Sequence, residues 1–106
     1  MRYDTSVSFV RMQRTYQPAT GNYDEEPVRE IRFAAVMDTR TETMDLVYGG
    51  FRKGSLTVQL QDHYDEPFDF IEYNGRRYRV DAERALRTKH VFVVSEVHDG
   101  YQVQGS

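Results

Sequence analysis

Phe68-Asp69-Phe70-Ile71-Glu72-Tyr73-Asn74-Gly75-Arg76-Arg77-Tyr78-Arg79-Val80-Asp81 is the most informative stretch of the chain. Phe68–Tyr73 and Arg76–Asp81 are β-prone runs on either side of Asn74-Gly75. Asn-Gly favours a two-residue type I′ turn, because both central positions need positive φ and only that hand of turn matches the strand twist. A two-residue turn fixes the register, setting Ile71 against Tyr78, Glu72 against Arg77 and Phe70 against Arg79. One face then carries Ile71, Tyr73, Tyr78 and Val80, and belongs to a core. The other carries an expected Glu72–Arg77 ion pair and an expected Phe70–Arg79 cation–π pair.

Strands are expected on both sides of this hairpin. Leu56, Val58 and Leu60 alternate with Thr57, Gln59 and Gln61, the period of a strand with one buried face. After a loop or short turn at 82–88, His90–Val97 reads as the last strand, its Val91-Phe92-Val93-Val94 apolar on both sides. Val7, Phe9 and Arg11 alternate with Ser8, Val10 and Met12 in a first strand over 5–13. A second, over 28–38, places Ile31, Phe33, Ala35 and Met37 on one face. Between these two, Pro18, Gly21, Asn22 and Pro27 with Asp24-Glu25-Glu26 predict a projecting loop over 14–27. The period changes near residues 40–48, where Met44, Val47 and Tyr48 share a helical face. Thr39 and Glu42 have capping-box spacing, and Gly49-Gly50 stops the helix. The expected architecture is mainly β, a six-stranded barrel or sandwich with one short helix, in a single domain over 1–97. Residues 98–106 are expected to form a flexible tail.

Composition narrows the function classes. Eight Tyr and six Phe supply much of the apolar material, on a chain that is 29% charged, a pattern that suits a thin core and surfaces that become interfaces. The absence of Cys removes disulfides, thiolate metal sites and Cys nucleophiles. Met1–Ser6 lacks the apolar segment of a secretory signal, and no apolar run approaches the 18 or so residues of a membrane span. A net charge of −3 argues against a general nucleic-acid coat. Asp62, Asp65, Glu66, Asp69 and Glu72 form an acidic segment, followed by a basic one with Arg76, Arg77, Arg79, Arg84, Arg87 and Lys89. Cross-strand ion pairing within the chain is one reading of this order. Faces of opposite sign that dock neighbouring subunits, through Asp62, Asp65 and Glu66 against Arg84 and Arg87, are the other.

Candidate chemistry is thin. Asp62-His63-Tyr64-Asp65-Glu66 offers hard ligands and one imidazole, but its spacing matches no EF-hand loop, and a solvated acidic turn is the better reading. His63, His90 and His98 lack a matching nucleophile, and Ser55 and Ser95 lack a G-x-S-x-G setting. Gly49-Gly50-Phe51-Arg52-Lys53-Gly54 lacks P-loop spacing and follows a helix instead of preceding one. Arg52 and Lys53 remain as loop cations, which a ring of copies would sum into a band of positive potential. No enzyme, cofactor or metal is expected.

Residues 34–97 resemble the tailed-bacteriophage head-tail joining family, whose members are also called head closure, stopper or minor capsid proteins. The matching features are the strand Ala35-Val36-Met37-Asp38 leading to Thr41-Glu42, the strand Leu56–Leu60, the hairpin Asp69-x-Ile71-x-Tyr73-x-Gly75-x-x-Tyr78-x-Val80, and the closing strand Val91–Val97. Phe70 departs from the pattern, since Arg is commoner there. The resemblance implies a small β-barrel assembled into a homo-oligomeric ring, generally twelvefold, although an isolated subunit can be monomeric. It also implies a place in the virion at the head-tail junction, after assembly in the host bacterial cytoplasm. Its partners would be portal or adaptor and tail proteins, and packaged DNA in the channel held without sequence recognition; no membrane is involved. By analogy, Asp24, Glu25 and Glu26 of the 14–27 loop, or Arg52 and Lys53, would reach the channel or a neighbouring ring. A tail terminator or tail-completion ring protein is the alternative within phages, and a monomeric β-barrel binding module the alternative outside them.

Overall fold

A computed structural model describes residues 2–97, so the expected tail at 98–106 lies outside the described residues. Six antiparallel strands close into a barrel in the order β1-β2-β3-β6-β5-β4. They are β1 (Thr5–Gln17), β2 (Asn22–Asp38), β3 (Ser55–Leu60), β4 (Phe70–Tyr73), β5 (Arg76–Ala85) and β6 (His90–Glu96), with one helix, α1 (Thr41–Tyr48), between β2 and β3. Pairing of β4 with β1, through Ser8↔Glu72, Phe9↔Ile71 and Val10↔Phe70, shuts the barrel. Closure covers the edges of the segments it joins, while β2 keeps a free edge before Ala35.

The hairpin behaves as Asn74-Gly75 requires. Both residues have positive φ, 53° and 75°, and Ile71 faces Tyr78 while Glu72 faces Arg77. Val58 and Leu60 are buried and Leu56 packs against them, so the alternation of β3 also holds. The barrel interior is filled with aromatic rings. Phe9 stacks on Tyr64 at 4.0 Å between centroids, and Phe68 and Phe92 meet Phe9 edge-on at 5.0 and 5.4 Å. Such offset and perpendicular pairs add to the stabilisation that burial alone supplies.

Three expectations need correction. The segment 14–27 is not a loop, because β1 runs to Gln17 and β2 starts at Asn22, pairing Arg14↔Glu25 and Tyr16↔Tyr23, and only residues 18–21 turn. A ribbon with no buried face lets polar and turn-prone residues sit in a ladder, so composition hides it. The turn closes by Gly21 N–H donating to Gln17 O at 2.8 Å, with Gly21 at φ 74°. Second, Thr39 does not cap α1. The N-cap is Arg40, without a side-chain cap, because the Thr39 hydroxyl is buried and bonded to Ser55 Oγ at 2.8 Å and Thr57 Oγ1 at 3.1 Å. Third, β5 continues through Ala85 past a bulge between Val80 and Ala82, so 82–85 is strand, not loop. The shared face of β2 that carries Ile31 and Phe33 turns outward. Ala34 and the partly buried Val36 face the core.

Strand directions sort the connections to two ends. The 61–69 segment and the 86–89 turn lie at the end from which the β1/β2 ribbon leaves. At the other end lie α1, the 49–54 loop and the Asn74-Gly75 turn. The molecule is accordingly long in one direction, 52 × 36 × 21 Å.

Candidate interaction surface

Residues directly opposite in a ladder share a face. On β1 and β2 the outward set pairs Ser6↔Phe33, Ser8↔Ile31, Val10↔Arg29, Met12↔Pro27, Arg14↔Glu25 and Tyr16↔Tyr23. This face is unusually apolar at its outer positions: Phe33 is 65% exposed, Ile31 63%, Tyr23 58% and Tyr16 52%. The tyrosines touch at 5.2 Å between centroids, and the Arg14 guanidinium lies over the Tyr23 ring. The reverse face of the ribbon pairs Gln13↔Glu26 and Thr15↔Asp24 and is polar. Sequence reading missed the apolar face. Its signal was the alternation Met12, Arg14, Tyr16 and Tyr23, Glu25, Pro27, hidden by the turn-forming residues around it.

Inland, the same face is closed over. Val10 and Phe70 are buried on the outside of the barrel, and the Arg77 guanidinium covers the Phe70 ring at 4.2 Å. The cation–π partner of Phe70 is therefore Arg77, not the expected Arg79, which bonds Asp81 at 3.0 Å. Glu72 likewise takes its bonds from Arg29 of β2, at 2.7 and 3.2 Å. The two-pronged guanidinium contact holds the Glu72 carboxyl below its ordinary range and raises Arg29, with Arg77 adding positive field.

Only the ends of the acidic and basic segments nearest the turn face each other as paired strands, Glu72 opposite Arg77. Asp62, Asp65 and Glu66 and the exposed Arg84 and Arg87 come to the same end of one copy, where His63 Nε2 meets Leu86 O. Among the described residues, no ion pair joins these acids to those arginines. Tyr64 turns inward between them as a plug. Its backbone N–H donates to Nδ1 of buried His90 at 3.1 Å, which leaves the His90 proton on Nε2, donated to Glu83 at 2.7 Å. Burial, with the negative charge of Glu30, raises the Tyr64 phenol above its ordinary range. An open depression of about 570 Å³ beside the plug is lined by Asp65, Glu66, Asp69, Arg79 and Glu83 among others. Three of its five charged groups are committed elsewhere. Asp69 accepts from Met12 N–H at 2.6 Å, Arg79 holds Asp81, and Glu83 holds His90. Among the described residues, no three His, Asp or Glu groups converge as a metal site.

At the far end, the Tyr48 hydroxyl donates to Asp81 Oδ2 of β5 and meets Ser55 Oγ of β3 at 3.3 Å, tying α1 to the barrel wall. Burial and the Asp81 carboxylate raise the Tyr48 phenol. Ser95 Oγ is buried nearby and, among the described residues, has no partner at full hydrogen-bond geometry. Gly49 ends α1 at φ 75°, its N–H donating to Asp45 O. Beyond it, Arg52 lies over the Tyr48 ring, while Lys53 is exposed and Phe51 and Leu46 are 81% and 87% exposed. A recess of about 350 Å³ opens there, its lining including Met44, Leu56, Phe51 and Arg52. The expected channel-contact residues therefore sit at opposite ends, with Asp24, Glu25 and Glu26 near the ribbon tip and Arg52 and Lys53 beside this recess.

No family model matches the chain, and no curated protein does. Among solved structures, the solution structure of protein SF1141 from Shigella flexneri 2a is similar to it. The TM-score is 0.73 over 92% of this chain and 96% of that one, at 15% sequence identity. At that identity the likeness is one of fold, a small barrel of the same plan. No helix among the described residues is long and apolar enough to cross a membrane.

Proposed function

We propose that the chain is a non-enzymatic structural subunit of a tailed-phage head-tail junction, a ring component that joins portal-adaptor to tail and helps retain packaged DNA. The observation that carries this reading is the ribbon formed by β1 and β2 beyond Arg11, a ladder that no other strand among the described residues covers. A two-stranded ribbon standing alone in water is marginal. Its apolar outer face would gain stability from a surface that the described residues do not provide. The filled barrel supports the same reading. Phe9, Tyr64, Phe68 and Phe92 occupy the interior, where a ligand-binding barrel would keep space. The order strand, helix, strand, hairpin, strand over residues 34–97 accords with the resemblance to the head-tail joining family.

The test is retention of the purified chain on immobilised portal-adaptor assemblies, followed by electron microscopy of the product. A ring added below the adaptor is the expected result. Failure to bind under conditions where an authentic stopper does would overturn the reading. Binding to tail-tube ends instead would favour the tail terminator or tail-completion alternative.

A further inference from the structure

The chain carries two exposed apolar patches that cannot meet each other within one copy. One is the ribbon tip, with Tyr16 and Tyr23 presented together on the outer face. The other is the recess beside α1, floored by Met44 and Leu56 and rimmed by Phe51 and Arg52. β2 runs from the first patch to the second, so they lie at opposite ends of the molecule. Their charges are also opposite. Around the tip, Asp24, Glu25 and Glu26 outnumber Arg14, and Asp24 and Glu26 face Thr15 and Gln13, with no ion pair among the described residues. Arg52 in the recess and Lys53 beside it are cations, again with no ion pair among the described residues, and they outnumber Asp38 in its lining. The ribbon is one sheet thick, so acids on its reverse face act across it within the Debye length of about 8 Å at physiological salt.

We infer that the ribbon tip of one copy docks into the recess beside α1 of a second copy, Tyr16 and Tyr23 entering against Phe51 while the tip acids meet Arg52 and Lys53. Contact between two different patches is heterologous, and repetition of it either closes a ring or continues as a filament. The same contact explains why apolar side chains stand exposed at both ends, and why the excess charge differs in sign between them. The inference rests on the self-assembling part of the proposed function and not on the identity of the structure that the assembly joins.

The absence of cysteine gives a clean test. Tyr23→Cys and Phe51→Cys are made as separate full-length variants, with exposed Thr88→Cys as the collision control, and all are checked by circular dichroism. Under mild oxidation the mixed Tyr23→Cys and Phe51→Cys pair should form disulfide dimers at least about tenfold faster than either variant alone, or than either with the Thr88→Cys control. Arg52→Glu with Lys53→Glu, added to the Phe51→Cys chain, should lower that rate about tenfold, and Asp24→Lys with Glu26→Lys on the Tyr23→Cys partner should restore it. Dominant Tyr23→Cys homodimers would overturn the inference in favour of a face-to-face ribbon pair, and rates no higher than the control would overturn it outright. If cross-linking fails while portal-adaptor binding succeeds, the inference falls and the connector reading stands. The opposite result leaves the docking and removes the connector.

Discussion

The Glu72 carboxylate is held by the Arg29 guanidinium across an intervening strand, and the pair roofs the outward-facing Val10 and Phe70. Its pKa is depressed in the fold, so its contribution to stability is fully present above the ordinary carboxylate value near 4.5 and is lost as pH falls through the lower, folded value. Glu72→Gln should therefore be less stable than the wild type at neutral pH, by the small amount typical of a half-exposed pair, and the difference should vanish in acid. Urea titrations at several pH values check this, and a difference that persists unchanged at pH 2–3 would remove the ionic explanation. Tyr48 offers a second residue-scale test. Tyr48→Phe leaves Asp81 without its donor from α1, and a hydrogen bond to a charged, partly buried group is worth about 1.5–3 kcal/mol. The expected result is a loss of that order, with faster amide exchange confined to Thr41–Tyr48. Uniform exchange across the barrel would mean that the hydroxyl does not tether the helix.

At the scale of elements, legibility followed burial. The β4/β5 hairpin was readable because Asn74-Gly75 demands one turn type and a core face sits on either side of it. β3 was readable because its alternation separates core from surface. The ribbon was not, since neither of its faces packs on its own barrel and a strand lacking a buried face leaves no burial pattern to find. Thr39 misled for a related reason, because a hydroxyl three residues before Glu42 can serve a buried cluster as readily as a helix end. The interaction surface was legible only as separate charges, Asp24 to Glu26 and Arg52 with Lys53, because the aromatic face that accompanies them appears only once the ribbon register is known. Pro27 tests how the ribbon is kept from unwanted pairing. It lies opposite Met12, whose own N–H turns away from β2 to Asp69. The Pro27 nitrogen therefore faces the free edge of β2, where its missing N–H costs β1 nothing and denies a donor to any added strand. Pro27→Thr should leave stability within about 0.5 kcal/mol but increase edge-to-edge association in light scattering. A large loss of stability would instead place that nitrogen toward β1.

At the scale of the whole molecule, one aromatic cluster spans the barrel and takes a ring from each of several segments: Phe9 from β1, Tyr64 and Phe68 from the 61–69 segment, Phe92 from β6. Removing a member should weaken every strand at once, so Phe92→Ala should cost about 3–5 kcal/mol, a large share of the roughly 5–15 kcal/mol that holds such a domain together. The tyrosines extend the argument to pH. Burial raises the phenols of Tyr48, Tyr64 and Tyr78, aided by Asp81, Glu30 and Glu96 respectively. A phenol whose folded value lies above its unfolded one contributes stability that is complete below about pH 10 and is lost as pH rises through the folded value. Alkali should therefore open the barrel cooperatively, the tyrosinate absorbance of these three rising together with the loss of β-sheet circular dichroism. Tyr64→Phe keeps the ring on Phe9 and removes the ionisable group, so its alkaline midpoint should move upward while its neutral stability changes little, the Glu30 contact being long at 3.4 Å. Tyrosinate formation in separate steps before any loss of sheet would mean that the plug at Tyr64 opens to water without the rest of the barrel, and that the molecule is not a single cooperative unit.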